Sequence, residues 1–358
     1  MTQIRTYAQA GVDIEAGDRA VELMKSSVAS ASRPEVLGDL GGFSGLFDAA
    51  ALTSMRRPVL STATDGVGTK LVVAQALDRH DTIGQDLVAM VTDDLVVTGA
   101  EPLFLTDYIA CGSVVPERIA RIVAGISHGC QLAGCALLGG ETAEHGGVMA
   151  PDEYDLAAAG TAVVEYDEIL GPQRVQPGDV VLAMASSGLH SNGYSLARAV
   201  LLGDGPAALE RHVSDLGRTL GEELLEPTRI YTRLCLELAR DPAVSVRTFS
   251  HITGGGLAAN LARVLPQTLR ARLDRSTWSP LGVFSLIQRE GELAQPEMER
   301  TFNMGVGMCA VVAPEGVDAA LSTMRSAGVP GWVLGEVLTR GADDEAQVTL
   351  FGSHARSS

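Results

Sequence analysis

Lysine is nearly missing from this chain. Of 27 basic residues among 358, only Lys25 and Lys70 are lysine; the rest are arginine. Basic residues are scarce altogether: 44 acidic against 27 basic side chains leave a formal charge of −17. That deficit argues against a protein that grips nucleic acid, where cationic surface supplies most of the affinity. The shortage is uneven, with 10 basic and 24 acidic residues in 1–170 (10 − 24 = −14) and 17 and 20 thereafter (17 − 20 = −3). A polyanionic ligand can still meet the acidic half where Mg²⁺ stands between carboxylate and phosphate. Cysteine is also sparse. Five residues, Cys111, Cys130, Cys135, Cys235 and Cys309, form no CxxC pair, so the pattern predicts buried reduced thiols in a cytosolic protein rather than a disulfide framework. No run of 18 apolar residues occurs, and the opening MTQIRTYAQAG lacks the apolar core of a signal peptide. The expectation is a soluble, cytoplasmic protein without a membrane partner.

What remains is ordinary for a globular enzyme: 46% hydrophobic and 20% charged residues, far from the composition of disorder. A chain of 358 residues exceeds one typical core, so two domains are expected. Pattern predicts helices over 18–30, 82–97 and 116–133 and strands over 58–64, 103–110, 136–138 and 156–164. A breaker-rich stretch from Gly171 to Asp179 places a domain boundary after residue 170. Beyond it, strands are expected at 180–185, 244–249, 306–312 and 332–338, with helices at 194–202, 219–238, 257–264 and 318–327. Residues 171–345 form the second domain and 346–358 a tail, the chain after Arg340 reading as a strand plus a frayed polar end. Mixed elements without strict βαβ order favour α+β over a doubly wound sheet.

The most informative stretch is Asp65-Gly66-Val67-Gly68-Thr69-Lys70, directly after the first strand. It is not a Walker A loop, which needs four residues between its glycine and Gly-Lys-Ser/Thr. Gly66 and Gly68 allow a tight turn that exposes N–H groups to an anion, and Asp65 is a candidate metal ligand. Lysine is a compact point charge and arginine a wide fork, so a retained Lys70 reads as a phosphate-facing residue. A ligand-free turn is the alternative. On the helix that follows, Asp86 and Asp93 share a face, with Asp94 beside them. Asp93 and Asp94 sit inside an apolar run, a costly place for carboxylates without a compensating cation. Metal binding is favoured over a salt bridge, since Arg79 is the only arginine nearby. Gly139-Gly140-Glu141-Thr142-Ala143-Glu144 repeats the pattern of strand, glycine and carboxylate, which suggests a polycarboxylate Mg²⁺ site. In the second half, Ser186-Ser187-Gly188-Leu189-His190-Ser191-Asn192-Gly193 and His251-Ile252-Thr253-Gly254-Gly255-Gly256 read as phosphate-type loops, with His190 as an acid/base or phosphate-contact candidate.

Taken together, these segments resemble the phosphoribosylformylglycinamidine cyclo-ligase (aminoimidazole ribonucleotide synthetase) family. The resemblance runs from Tyr7 to about Val337 and includes 33–47 (RPEVLGDLGGFSGLF), TDGVGTKL, HDTIGQDLVAM, GGETAE, SSGLHSNGYSL, PTRIY, HITGGG and the RTFN segment. It implies an N-terminal domain whose strands join a homodimeric β-barrel, and a C-terminal α+β domain. It also implies ATP-dependent closure of formylglycinamidine ribonucleotide to aminoimidazole ribonucleotide, with ADP and phosphate released, in purine synthesis. ATP and Mg²⁺ are the implied cofactors, with K⁺ a further candidate ion.

Carried onto this sequence, Asp65, Asp94 and Glu141 would hold Mg²⁺ and the ATP phosphates. Gly66, Gly68, Thr69 and Lys70 would line the phosphate path. Lys25 matches a nucleotide-associated lysine, under a loop containing Gly41 and Gly42. His190, Ser191 and Asn192 fall at the second-domain site, and Thr253, Gly254, Gly255 and Gly256 at the substrate phosphate; Lys70, Asp94 and His190 form the catalytic set. Two departures stand out: Asp93 where the family often has Asn, and His145-Gly146-Gly147 in place of a Pro-Gly after GGETAE. The alternatives are a small-molecule ATP kinase on the same scaffold, like thiamine-monophosphate kinase, and a non-catalytic paralogue.

Overall fold

A computed structural model of the chain describes residues 11–38, 41–203 and 205–355. The segment 7–10 and the residues Asp39 and Leu40, on which part of the resemblance rests, lie outside the described residues. Two compact units emerge, Met1–Leu95 with Pro102–Glu165, and Val96–Glu101 with Tyr166–Ser358. The expected boundary after residue 170 therefore differs in two ways. The change of unit comes at Glu165/Tyr166, and 96–101 belong to the second unit. The cause is local: Leu170 N–H donates to Thr98 O at 3.0 Å, and Val96 packs in the second unit's core.

The first unit contains α1 (Ile14–Ser30), β1 (Val36–Leu37), β2 (Leu46–Phe47), β3 (Pro58–Gly66), α2 (Leu71–Leu77), α3 (Ile83–Val96), β4 (Glu101–Cys111), α4 (Pro116–Ala133), β5 (Ala136–Glu144) and β6 (Tyr154–Glu165). Asp13 caps α1 by accepting the Ala16 N–H, and α4 opens with Pro116 and stops at Gly134, whose φ is +84°. The four-stranded sheet has the order β3-β6-β4-β5. β6 runs antiparallel to β3, and β4 parallel to β5. Gly112 N–H, just past β4, donates to Glu153 O, just before β6. Hence β3, β4 and β5 all finish at the same end of the sheet. One face lies against α3, where Gly160 leaves no room for a Cβ (Val91 Cγ1 would be 2.6 Å away). Across α3 and α4, a Cβ on Gly84 would stand 2.2 Å from Ile126 N, so glycine sets how closely these helices approach. The opposite face of the sheet exposes Leu60, Thr62 and Thr64 of β3 and Tyr108 of β4.

The second unit contains β7 (Val180–Ala185), α5 (Tyr194–Leu201), β8 (His212–Val213), β9 (Arg218–Thr219), α6 (Leu220–Leu224), α7 (Thr232–Arg240), β10 (Val246–His251), α8 (Gly256–Ala262), β11 (Leu269–Asp274), α9 (Gly282–Glu290), α10 (Gln295–Thr301), β12 (Val306–Val312), α11 (Val317–Ser326), β13 (Gly331–Thr339) and β14 (Val348–Phe351). Its six-stranded sheet has the order β10-β12-β7-β13-β11-β14. Both faces are covered. Leu182 and Met184 of β7 join one core cluster, while Val181 and Ala183 join the other. Strand residues alternate faces, so a strand buried on both sides reads as an unbroken apolar run.

Three expectations change here. The single helix over 219–238 is two, because α6 is started by the Thr219/Glu222 capping box and the chain then turns through Pro227. The strand expected after Arg340 is β14, which falls within the span assigned to the tail and joins the sheet by pairing in parallel with β11. β11, α9 and α10 went unpredicted. The mixed α+β class holds, and all five cysteines are free and buried. No helix among the described residues is long and apolar enough to cross a membrane.

Candidate active site

Asp65 and Glu141 come to the same end of the first sheet because β3 and β5 finish there. Both are exposed. Asp65 Oδ1 accepts the Gly66 N–H at 2.7 Å and Glu141 Oε1 the Thr142 N–H at 3.0 Å, which fixes each carboxylate at its strand end. Asp94 and Asp93 separate cleanly: Asp94 is exposed and Asp93 fully buried, so only Asp94 can meet a ligand arriving from solvent. Among the described residues, no group of three or more His, Cys, Asp or Glu side chains stands ready to hold a metal ion. The expected Mg²⁺ ligands are not gathered into a cage.

Lys70 departs furthest from expectation. It does not line an open phosphate path. Its side chain is fully buried and its Nζ lies 2.8 Å from Oδ1 of Asp86, itself fully buried. Gly68 (φ +72°) and exposed Thr69 form the turn, and the next residue drops its ammonium into the interior. The cation that meets a carboxylate of this helix is thus a lysine 16 residues before Asp86 in the sequence, not the nearby Arg79. Lys25 behaves oppositely: it is exposed on α1 and paired with Glu22 one turn away.

A cavity of ≈ 640 Å³ opens beside Glu141. Met24 and Val28 of α1, the segment 41–45, and the ends of β4 and β5 enclose it, so Gly41 and Gly42 are part of its wall. Asp107, on β4, lines it too and was missed. Burial pushes its carboxyl up to about 7, partly offset by its own backbone N–H. It remains open to the cavity while surrounded by protein. The signal was available: a lone carboxylate in the run Leu105-Thr106-Asp107-Tyr108-Ile109 is costly for the same reason as Asp93.

In the second unit, antiparallel pairing brings the end of β7 beside the start of β12 (Ala185 opposite Val306) and the end of β10 beside β12 (His251 opposite Met308). The loops after β7 and β10 and the one before β12 thus meet at one end of the sheet. Asn303, missed as a site residue, braces them. It is 3% exposed; its Nδ2 donates to Gly188 O (2.9 Å) and Leu189 O (3.2 Å), and its Oδ1 accepts from Ser186 Oγ and Gly305 N. Arg229 Nη1 and Tyr231 OH both donate to Ala185 O. Asn192 Oδ1 accepts the Gly254 N–H at 3.1 Å, joining the two predicted anion loops. Buried Asn260 donates to the carbonyls of Thr253, Gly254 and Gly256. Ser191 Oγ lies 3.4 Å from Thr228 Oγ1. Gly254 and Gly255 face outward, and Gly256 is buried.

His190 is not at the loop's open surface. It is 1% exposed, adopts φ +64°, and its Nε2 accepts the Ser187 N–H at 3.1 Å, which requires the neutral Nδ1–H tautomer. A Cβ on Gly307 would stand 2.5 Å from its ring. The imidazole therefore shapes the loop from within.

A carboxylate-rimmed cavity in one unit and a braced cluster of amides and hydroxyls in the other belong to a small-molecule enzyme. The family models agree with that class: "AIR synthase related protein, N-terminal domain" matches residues 47–164, and the corresponding C-terminal domain 176–345. A phosphoribosylformylglycinamidine cyclo-ligase of Anaeromyxobacter sp. (strain Fw109-5) is 53% identical over 93% of this chain and 95% of its own length. The chain belongs to the phosphoribosylformylglycinamidine cyclo-ligase family, and it is an enzyme of that ligase class. Among solved structures, a thiamine-monophosphate kinase from Stenotrophomonas maltophilia K279a shares the fold (TM-score 0.66, 20% identity, 94% of this chain and 97% of that one). The hydrogenase maturation protein HypE in complex with ATP does so as well (TM-score 0.64, 18% identity, 93% and 90%). At those identities the likeness carries fold alone, which leaves the kinase alternative without specific support.

Proposed function

We propose that this enzyme closes the imidazole ring of aminoimidazole ribonucleotide from formylglycinamidine ribonucleotide. The observation that carries the proposal is the 53% identity to a cyclo-ligase over nearly the whole chain, with both domains represented. An amide oxygen is a poor leaving group. Transfer of the ATP γ-phosphoryl group to the formyl oxygen makes it leave as phosphate, once the amidine nitrogen has attacked the formyl carbon. ADP, phosphate and the aromatic ring remain. Little covalent chemistry falls to the protein, so positioning and charge neutralisation dominate.

The chain's residues take these parts. Asp65, Asp94 and Glu141 are exposed carboxylates that would hold Mg²⁺. They fit a cation that keeps several waters and uses one or two carboxylates plus phosphate oxygens, not one needing a protein-only cage. When bound, that ion supplies neutralisation of the polyphosphate. Gly66, Gly68 and Thr69 present the turn to the phosphates, and Lys70 anchors it from below through Asp86. Lys25, Gly41 and Gly42 supply the nucleotide's cover. In the second unit, Ser191, Asn192 and the Thr253–Gly256 segment receive the substrate's phosphate end, on a platform that His190 and Asn303 hold in shape. His190 enters as a positioning residue, because a buried ring already accepting a backbone N–H is poorly placed to shuttle protons. The exposed sheet face around Leu60 is the surface on which a second copy would complete a dimeric barrel. A reaction between small water-soluble metabolites fits a cytoplasmic site of action.

The test incubates the pure protein with formylglycinamidine ribonucleotide, ATP and Mg²⁺ and looks for a diazotisable aminoimidazole. ADP release without that product would sink the proposal; K⁺ is tested by substituting Na⁺ in the same assay.

A further inference from the structure

The cavity of the first unit has a lining that sorts ligands. Among the described residues, its charged side chains are Asp107 and Glu141, with no lysine, arginine or histidine. No basic side chain of the lining meets a phosphate directly. The wall from α1 is apolar, with Ala20, Met24 and Val28. A volume of ≈ 640 Å³ suits a group the size of a nucleoside or a sugar-linked chain. Such a cavity takes the part of a ligand that has apolar faces and N–H donors on its edge.

The position of the Asp107 carboxylate is fixed by the neighbouring strand. Asp107 pairs in register with Gly140, and a Cβ at Gly140 would lie 2.2 Å from Asp107 Oδ1. Gly140 has no positive φ, so its backbone does not call for glycine. Room for the carboxylate does. Tyr108 and its partner Glu141 occupy the next register position, and Glu141 lines the same cavity as Asp107. Among the described residues no side chain donates a hydrogen bond to it.

We propose that Asp107 is a specificity-determining residue that accepts hydrogen bonds from the N–H donor of an amidine-type N–C–N group of a ligand seated in this cavity. Two ligands of the reaction offer such a donor: adenine of ATP, through its 6-amino group, and the amidine of the open-chain substrate. The inference rests on the proposed reaction only for the identity of these two sources. The geometry also bears on the second glycine of the GGETAE segment, where a Cβ would collide with the Asp107 side chain and stand 3.0 Å from its backbone oxygen. A desolvated carboxylate facing the cavity gains most from ligand N–H groups, because hydrogen bonds to charged groups are stronger than neutral ones.

The test measures KM and kcat for both substrates, with Kd by calorimetry, in the wild type, Asp107→Asn and Gly140→Ala. Asp107→Asn keeps the shape but turns an NH₂ toward the ligand's donors. The expected result is a rise of roughly 10- to 100-fold in KM and Kd for one substrate, with the other unchanged, as losing a charged hydrogen bond predicts. If the source is adenine, ATP weakens and ITP, which offers a carbonyl in place of the amino group, gains relative to it. If the source is the amidine, formylglycinamidine ribonucleotide weakens and nucleotide preference holds. Gly140→Ala, which displaces the carboxylate without removing it, is expected to weaken the same substrate. Unchanged KM and Kd for both substrates in folded Asp107→Asn overturn the inference, as does a loss confined to kcat. A wild type that binds both ligands but makes no aminoimidazole refutes the reaction instead, and the binding data still decide Asp107.

Discussion

The two sheets of this protein differ in what covers them, and their sites differ accordingly. The six-stranded sheet is buried on both faces, and the loops at its end are braced by Asn303, Asn260 and Asn192 through hydrogen bonds to backbone. The four-stranded sheet is covered on one face only; Leu60 on the other is 63% exposed. At its end stand exposed carboxylates and an open cavity. One site is finished by its own fold. The other leaves its carboxylates, its cavity and one sheet face exposed. Buried amides that satisfy every donor and acceptor make a rigid platform, whereas half-solvated carboxylates remain available.

The largest expected effect would break the one rigid element of the half-covered side. Lys70→Met removes one member of a fully buried pair and should cost about 3–5 kcal/mol, read from denaturant unfolding of the full chain. The double variant Lys70→Met/Asp86→Leu should recover most of that loss. A neutral single variant would mean that the pair is not structural. Asn303→Ala attacks the finished side. Several buried backbone groups lose their partner, so roughly 2–3 kcal/mol is expected, together with a weaker affinity for the substrate's phosphate end. Unaltered stability would refute the bracing role.

A smaller effect, with a definite sign, comes from Asp107. Its carboxyl is raised from 3.8 to about 7, so between those values the folded state binds more protons than the unfolded state. Stability therefore falls as pH rises through that window. Asp107→Asn should flatten the slope and leave the protein about 1–2 kcal/mol more stable at pH 8 but not at pH 4, the full shift being discounted for the open cavity. Thermal melts across pH 4–8 check this, and an unchanged slope contradicts it. The smallest stability effect is expected for Leu60→Glu, within roughly 0.5 kcal/mol for a surface substitution. Its readout is assembly: if the proposed dimer forms through this face, sedimentation should show a dimer for the wild type and a monomer for the variant, and a wild-type monomer or an unaltered dimer would remove this face from the proposal.

Much of the fold was legible because burial leaves a periodic trace. The helix at 116–133 showed its Pro start and Gly stop, and β7 its unbroken apolar run. The break between α6 and α7 and the partner of β14 were not legible, since the first turns on a proline within an otherwise helical pattern and the second on parallel pairing with a strand far back in the sequence. The site was legible in its loops more than in its roles. Gly-rich turns announce themselves by composition, but nothing in the order of residues says that Lys70 points inward. Asp107 was hidden for a related reason, since only pairing with Gly140 reveals the space kept for it.

By itself the sequence determined the α+β class, the acidic first half with its two lysines, and the ordered motifs that carry family membership. These follow from composition, local periodicity and residue order, which survive without coordinates. The tertiary structure alone decided which charges meet. It gave Lys70 to Asp86, opened Asp94 while burying Asp93, set Asp107 in a cavity wall and closed His190 into its loop. Electrostatic roles depend on distance and solvent access between residues far apart in the chain, and those quantities exist only once the strands have paired.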